Sequence, residues 1–243
     1  MPTRTVFVTV GTTLFEPLIE AICNPSFLQN LLVSNGVTHL IIQYGKGSIP
    51  SIVTSSSSSS SSAVETHSIS QQSTVKGIYK GHSGSLQWEA YSFKPSLEKD
   101  MQEADLIISH AGAGSIMEGL SHCYRRNTRG SSARSSAQHI HEHEHEHEHE
   151  SEHEHEHGSS QDYKKLVVVI NNELMDNHQM ELAEALAKRG YLMMLTGPTL
   201  LLDNDCRVME DVESFRPRNF GGGNGATFGN LLDSFMGFGK NSD

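Results

Sequence analysis

The chain has 243 residues and a formal net charge of −11. Eight of its 29 acidic residues lie in one His-Glu alternation at 139–157, and without that tract the net charge is −3. Since no basic excess remains, the sequence offers no electrostatic basis for binding nucleic acid. No run approaches the ~20 apolar residues that span a bilayer, and the apolar N-terminal run ends at Gly11, too early for a signal-peptide core.

The predicted elements alternate between strands and helices. Their strands are continuous apolar runs, which is typical of a parallel sheet covered on both faces. The sequence therefore predicts a doubly wound α/β domain over 1–202. In chain order the elements are strand 5–10, helix 17–32, strand 38–44, strand 86–93, a helix from Pro95, strand 105–110, helix 115–123, strand 165–170, helix 177–190 and strand 191–195.

Two low-complexity inserts interrupt this domain, at about 51–74 and 125–162. The first contains a serine run and the second the His-Glu tract, and neither has the apolar side chains needed to offset its ordering entropy, so both are predicted to be disordered loops. The imidazoles of the second insert could bind Zn or Ni. The tract has no fixed geometry, however, and we interpret it as a solvated loop and predict no catalytic metal.

The tail at 203–243 contains a possible partner-binding helix. The stretch ATFGNLLDSFMGFG (226–239) has apolar residues at helical spacing after a glycine-rich segment. Such a helix could enter a groove on a partner, or it could pack on its own domain. A helix lying on a membrane surface is less favoured, because the polar face lacks the usual Lys and Arg.

Three cysteines, Cys23, Cys123 and Cys206, are scattered without paired spacing, which is typical of a reducing compartment. Together with the absence of a signal peptide or a membrane segment, this predicts a cytosolic protein that does not anchor itself to a membrane.

Three segments follow the carboxyl ends of predicted strands, where ligands bind in sheets of this kind. Glycines in the second segment leave backbone N–H groups uncovered at a helix N-terminus, whose partial positive charge favours phosphate. Hydroxyl groups in the first two segments add hydrogen-bond donors, so the set suits a diphosphate. The segments are Gly11, Thr12 and Thr13; His110, Ala111, Gly112, Ala113, Gly114 and Ser115; and residues 171–179.

Each of these features also has a structural explanation. Glycines in a tight strand–helix turn can serve packing alone. Ser115 with Glu118 forms an S-x-x-E capping box, and Asp176 or Asn177 could cap the helix that follows. The sequence has neither a G-x-G-x-x-G fingerprint after its first strand nor a G-x-x-x-x-G-K-[ST] motif, which argues against a dinucleotide-binding enzyme and against an NTPase.

The three segments in this order resemble a known family. They stand in VFVTVGTTLFEPLI, ADLIISHAGAGSIMEGL and VVVINNELMDNHQMELAEAL. The family is the eukaryotic catalytic subunit of the UDP-N-acetylglucosamine transferase that makes dolichol-diphosphate-linked chitobiose. That subunit is similar to the C-terminal, nucleotide-sugar-binding half of the bacterial lipid II-forming GlcNAc transferase, a two-domain GT-B enzyme. The resemblance covers most of the chain outside the inserts and the far C-terminus.

The resemblance implies roles for individual side chains. Glu118 would hold the ribose hydroxyls rather than cap a helix. Gln179, an amide that donates and accepts, suits sugar hydroxyls, while His178 would contact the sugar or pack at the helix start. His110 would touch phosphate or simply close its strand. The turns at Gly11, Thr12 and Thr13 and at Gly112, Ala113, Gly114 and Ser115 would lie near the diphosphate, and Asn177, His178 and Gln179 would face the GlcNAc.

The resemblance also implies a reaction and a partner. The reaction is inverting transfer of GlcNAc from UDP-GlcNAc to the 4-hydroxyl of GlcNAc-diphosphodolichol, without a cofactor. The residues suggest no general base, and the acceptor half of the GT-B architecture is missing. A small membrane-anchored subunit would supply that half at the cytoplasmic face of the endoplasmic reticulum.

Two alternative functions belong to other classes. The first is a non-catalytic nucleotide-sugar-binding or scaffold subunit, against which the retention of all three segments argues. The second is a nucleotide-sugar epimerase of related fold, for which the chain is too short because both domains would have to lie in it.

Overall fold

The computed structural model describes residues 4–52, 74–123, 163–172, 177–202, 207–218 and 220. No helix in these ranges is long and apolar enough to cross a bilayer. The strands are β1 (Arg4–Thr9), β2 (Val37–Gln43), β3 (Val75–Gly81), β4 (Gly84–Tyr91), β5 (Leu106–His110), β6 (Lys165–Val169) and β7 (Met193–Leu195). The helices are α1 (Glu16–Cys23), α2 (Pro25–Asn35), α3 (Glu98–Glu103), α4 (Ala113–His122), α5 (Asn177–Lys188) and α6 (Arg207–Ser214), with a 3₁₀ helix at Pro198–Leu202.

The seven strands form one sheet in the order β3-β4-β2-β1-β5-β6-β7. All neighbours are parallel except β3, which runs antiparallel to β4 at one edge. The chain builds one side of the sheet outward from β1 and then returns to β5 on the other side of it. In such sheets the ligand crevice opens where the strand order reverses, and here that position is the carboxyl end of β1 and β5.

Helices cover both faces of the sheet, which confirms the predicted doubly wound fold. Successive residues of a strand point to opposite faces, and β1 shows this alternation. Val6 and Val8 belong to a core layer shared with α1, α2 and α6. Phe7, fully buried between them, belongs to a second layer shared with α3, α4 and α5. Both core layers therefore fix the carboxyl end of β1.

Several predicted helix boundaries were wrong. The helix predicted over 17–32 is two helices, because Asn24 ends α1 and caps α2 through a hydrogen bond from the Ser26 N–H to its side-chain oxygen (2.9 Å). Pro25 then occupies the first position of α2, where its missing N–H costs nothing. The helix expected from Pro95 begins later, at Glu98.

One strand and one α-helix of the described structure were not predicted, and neither was the 3₁₀ helix at Pro198–Leu202. Strand β3 begins directly after the segment assigned to the serine-rich insert. Helix α6 lies beyond residue 202, where the sequence placed the end of the domain, yet its Met209 and Val212 are buried in the core layer of α1 and α2. The core therefore extends past the expected boundary. The helix predicted over 226–239 lies outside the described residues, as do residues 53–73 of the first insert and the whole of the second.

Two consecutive lysines at the start of β6 join the sheet to helices on opposite faces. Lys164 Nζ donates to the carbonyls of Met101 (2.8 Å) and Gln102 (2.6 Å) in the last turn of α3. Lys165 Nζ donates to the carbonyls of Val212 (2.8 Å) and Glu213 (2.6 Å) in the last turn of α6. Helix C-terminal carbonyls lack partners within the helix and favour positive charge, so each lysine holds one helix against the sheet.

Replacing Lys165 with Met should lower the free energy of unfolding by about 1–3 kcal/mol, because it leaves two helix carbonyls without their donor. Burial lowers the pKa of Lys165 from 10.5 to about 8, with Glu213 acting in the opposite direction. The unfolded chain therefore binds the proton more tightly, and the stability of the wild type relative to K165M should increase from about pH 8 to pH 10.5. Urea unfolding across this pH window measures the difference.

The exposed Lys188 on α5 provides the control, and K188M should change the free energy of unfolding by less than about 0.5 kcal/mol. If the difference in the free energy of unfolding between the wild type and K165M shrinks with rising pH, the lowered pKa of Lys165 is contradicted.

Candidate functional site

The first two predicted segments contact each other at the carboxyl ends of β1 and β5. Gly11 follows β1 with φ at 60°, a left-handed conformation that favours glycine. A Cβ built on Gly11 would lie 2.6 Å from His110 Cε1 and 3.3 Å from Ser115 Oγ. The turn after β1 thus packs directly on the end of β5 and on the first turn of α4, and any larger residue at position 11 would separate them.

A buried amide fixes the Gly11 turn. Gln43, the last residue of β2, accepts hydrogen bonds from Thr9 Oγ1 (2.6 Å) and from the Gly11 N–H (2.9 Å). Its Nε2 donates to the carbonyls of Gly11 and Ser92, both at 2.7 Å. All four hydrogen-bonding positions of this amide are filled. The ends of β1, β2 and β4 are therefore joined through one side chain.

The sequence analysis missed Gln43 and Thr9. The signal was present, because Gln43 ends the apolar run LIIQ and Thr9 interrupts FVTV, and a polar residue inside a buried strand is the informative exception. Thr9 is fully buried and Gln43 is 1% exposed. Buried polar groups require partners, so such residues mark the place where a backbone turn is held.

His110 lies between the two glycine turns. Its ring contacts the position that a Cβ on Gly112 would occupy, so glycine at 112 is required by this side chain. His110 is 91% buried, and its Nδ1 has no hydrogen-bond partner among the described residues. Burial lowers the pKa of His110, with the backbone of Thr9 acting in the opposite direction. Burial therefore favours the neutral form of the imidazole.

The N-terminus of α4 faces the same crevice. Gly112 is the N-cap without a side-chain capping bond, and the first helical hydrogen bond runs from Ile116 N to the Gly112 carbonyl (2.9 Å). Ser115 is thus the third residue of the helix, which begins two residues before the predicted start, and the alternative that Ser115 caps this helix does not apply. The N–H groups of the first turn are left for other acceptors. They belong to Ala113, Gly114 and Ser115.

Gly114 differs from Gly112 in its surroundings. A Cβ on Gly114 would meet no atom within 4 Å, so packing within the described structure does not require a glycine there. Glu118 follows one turn later on α4. Its side chain is exposed, and its carboxylate forms no hydrogen bond or ion pair with a described residue. Both positions are accessible to a ligand at the start of α4.

The two threonines after Gly11 are not equivalent. Thr12 is exposed. Thr13 Oγ1 donates to the Val10 carbonyl (2.8 Å), so its proton stabilises the turn and only its lone pairs remain for a ligand. Of the hydroxyl groups predicted to donate in this segment, that of Thr12 is the accessible one.

The third segment reaches the first through the loop after β6. Asn171 Nδ2 donates to the Leu14 carbonyl (3.4 Å), which places this loop beside the turn after β1. Asn177, His178 and Gln179 begin α5, but their side chains, and the whole of Asp176, lie outside the described part of the structure. Their predicted contacts with a sugar stay predictions.

The arrangement is suited to an anion. The N–H groups at the start of a ten-residue helix carry partial positive charge, and the Gly11 turn lies against the first turn of this helix. Within the described ranges no three potential ligands cluster as a metal site. The groups that converge here are backbone N–H groups, a neutral imidazole and hydroxyls.

Comparison with known proteins gives this geometry a context. The model of the Glycosyltransferase family 28 C-terminal domain matches residues 5–123. The UDP-N-acetylglucosamine transferase subunit ALG13 of Cryptococcus neoformans var. neoformans serotype D is 31% identical over 199 residues, which are 78% of this chain and 76% of that protein. The human subunit ALG13 is 34% identical over 206 residues, 85% of this chain. The chain spans only 11% of the length of the human protein.

A solved structure has the same fold. The NMR solution structure of ALG13 aligns with 95% of both chains at a TM-score of 0.54 and 21% sequence identity.

Replacing Gln43 with Met, which has a similar shape but cannot form these hydrogen bonds, should lower the free energy of unfolding by roughly 3 kcal/mol or more, because several buried polar groups lose their partner. Urea unfolding measures this loss. The matched control is Q102M on the exposed surface of α3, for which the expected change is below about 0.5 kcal/mol. Equal effects of the two substitutions would show that the buried amide does not fix the turn.

Proposed function

Since the chain belongs to the family of the UDP-N-acetylglucosamine transferase subunit ALG13, we propose that it is the donor-binding subunit of a GlcNAc transferase. The contact between the Gly11 turn and the first turn of α4 supports this proposal most directly. This contact brings N–H groups that have no partner within the helix, together with the positive end of its dipole, to the crevice at which sheets of this class bind nucleotides.

In this proposal the diphosphate of UDP-GlcNAc binds at the crevice, over the junction where the two turns meet. It accepts hydrogen bonds from the N–H groups of Ala113, Gly114 and Ser115, and from the hydroxyl of Thr12. His110, which is neutral, contributes an N–H rather than a positive charge. Charge develops on UDP as the bond between the sugar and the phosphate breaks, and fixed donors stabilise it without reorganisation.

The nucleoside and sugar ends of the donor are assigned to other residues. The exposed carboxylate of Glu118 accepts hydrogen bonds from the ribose hydroxyls, since it lies one turn beyond the phosphate-binding N–H groups on the same helix. Asn177, His178 and Gln179 at the start of α5 face the GlcNAc. We assign no residue of this chain as the general base.

The acceptor and the partner complete the proposal. GlcNAc is transferred with inversion to the 4-hydroxyl of GlcNAc-diphosphodolichol, giving chitobiosyl-diphosphodolichol for N-glycosylation. A membrane-anchored subunit binds this lipid acceptor and holds the present chain at the cytoplasmic face of the endoplasmic reticulum. The name "subunit" in the related proteins supports a multi-chain enzyme.

Transfer of labelled GlcNAc from UDP-GlcNAc to a GlcNAc-diphospho-lipid tests the proposal, with the chain alone and together with its membrane subunit. We expect transfer in the mixture and a roughly tenfold to hundredfold lower kcat/KM for E118A, as expected for the loss of hydrogen bonds to a charged group. The exposed Glu20 on α1 provides the control E20A, which should transfer at the wild-type rate.

If E118A transfers GlcNAc as fast as the wild type, the carboxylate does not hold the donor. If no transfer occurs in the mixture, although the complex has formed, the chain is a non-catalytic nucleotide-sugar-binding or scaffold subunit.

Replacing Gly114 with Ala separates stability from ligand binding. Because the added Cβ meets open space, the substitution should leave the free energy of unfolding unchanged or raise it by up to about 1 kcal/mol. The same methyl group should obstruct the diphosphate and weaken UDP binding by about tenfold or more. Urea unfolding and calorimetric titration with UDP measure the two effects, and unchanged UDP affinity would place the phosphates elsewhere.

A further inference from the structure

The loop after β2 forms a hydrogen-bonded turn beside the proposed donor site. A hydrogen bond from the Gly47 N–H to the Tyr44 carbonyl (3.1 Å) closes the turn. The Ser48 N–H donates to Glu16 Oε1 (2.7 Å), which ties the far side of the turn to the start of α1. Lys46 occupies the tip between these anchors, so hydrogen bonds hold the backbone on both sides of it.

This turn packs directly on the turn after β1. Gly45 has φ at 62°, and a Cβ there would lie 2.6 Å from the Thr13 carbonyl oxygen and 2.9 Å from that of Gly11. The Lys46 N–H lies 3.4 Å from the Thr13 carbonyl oxygen and donates to it. Lys46 is therefore a backbone neighbour of the turn that the proposed function places against the diphosphate.

The charge of Lys46 is not used within the described structure. Its side chain is exposed and forms no ion pair with any residue in the described ranges. Lys94, which follows the neighbouring strand β4, differs in this respect. Its Nζ lies 2.8 Å from Asp100 Oδ2 and 3.6 Å from Glu89 Oε1, so its charge is already neutralised.

We propose that Lys46 is the side chain that pairs with the phosphates of the nucleotide donor. Each phosphate of a nucleoside diphosphate carries negative charge, and the N–H groups of α4 supply only partial positive charge. A lysine on a flexible four-carbon stem can place a full charge beside such a group. The inference rests on the proposed function and assigns to the donor site a residue outside the three segments found in the sequence.

Calorimetric titration of the full chain with UDP and with uridine tests this assignment. In K46M the affinity for UDP should fall by about tenfold, while uridine, which lacks the phosphates, should bind as it does to the wild type. K46R keeps the charge and should retain UDP affinity within about threefold. The fall in UDP affinity with added NaCl should be steeper for the wild type than for K46M, because salt screens the pair.

K80M provides the matched control. Lys80 is an exposed lysine on β3, beside the antiparallel start of β4 and thus at the opposite end of the sheet. K80M should bind UDP as the wild type does. If K46M binds UDP with wild-type affinity, or if K80M weakens binding equally, Lys46 does not pair with the phosphates. That result would contradict the role of Lys46 but not the proposed diphosphate site. If the wild-type chain binds UDP no better than uridine, both this inference and the proposed diphosphate site are wrong.

Discussion

The buried amide of Gln43 is the interaction on which the crevice depends. Its four hydrogen bonds join the carboxyl ends of β1, β2 and β4 and hold both the N–H and the carbonyl of Gly11. The fixed Gly11 turn then packs against His110 and Ser115, and it also receives the loop after β2. The Gly11 turn, which would bind a donor, is thus held by one polar side chain. This side chain lies in an apolar core, where a polar group without a hydrogen-bond partner is costly.

The two glycines at the start of α4 show that the same residue type can have two causes. Gly112 is required because His110 fills the space that a side chain would need, whereas Gly114 faces open space. The sequence motif could not separate these cases, because both glycines stand at a tight turn between a strand and a helix. Of these two glycines, Gly114 is therefore the one that ligand binding can explain.

Much of the fold followed from the sequence, because apolar runs closed by glycine define the parallel strands well. Local chemistry caused the errors. Asn24 and Pro25 break one predicted helix into two, and the helix predicted from Ser115 begins at Ala113, with Gly112 as its N-cap. The contribution of Gln43 could not be predicted in detail, since its partners on β1 and β4 are 34 and 49 residues away and meet only in the folded sheet.

In the proposed function the chain binds a nucleoside diphosphate at the carboxyl edge of the sheet, where the turn after β1 meets the start of α4. Titration of the isotope-labelled chain with UDP, followed through its backbone amide resonances, locates that site. The largest shifts are expected at Gly11, Thr12 and Thr13 and at Ala113, Gly114 and Ser115. Shifts concentrated at the opposite edge, around Lys165, or no shifts at all, would contradict it.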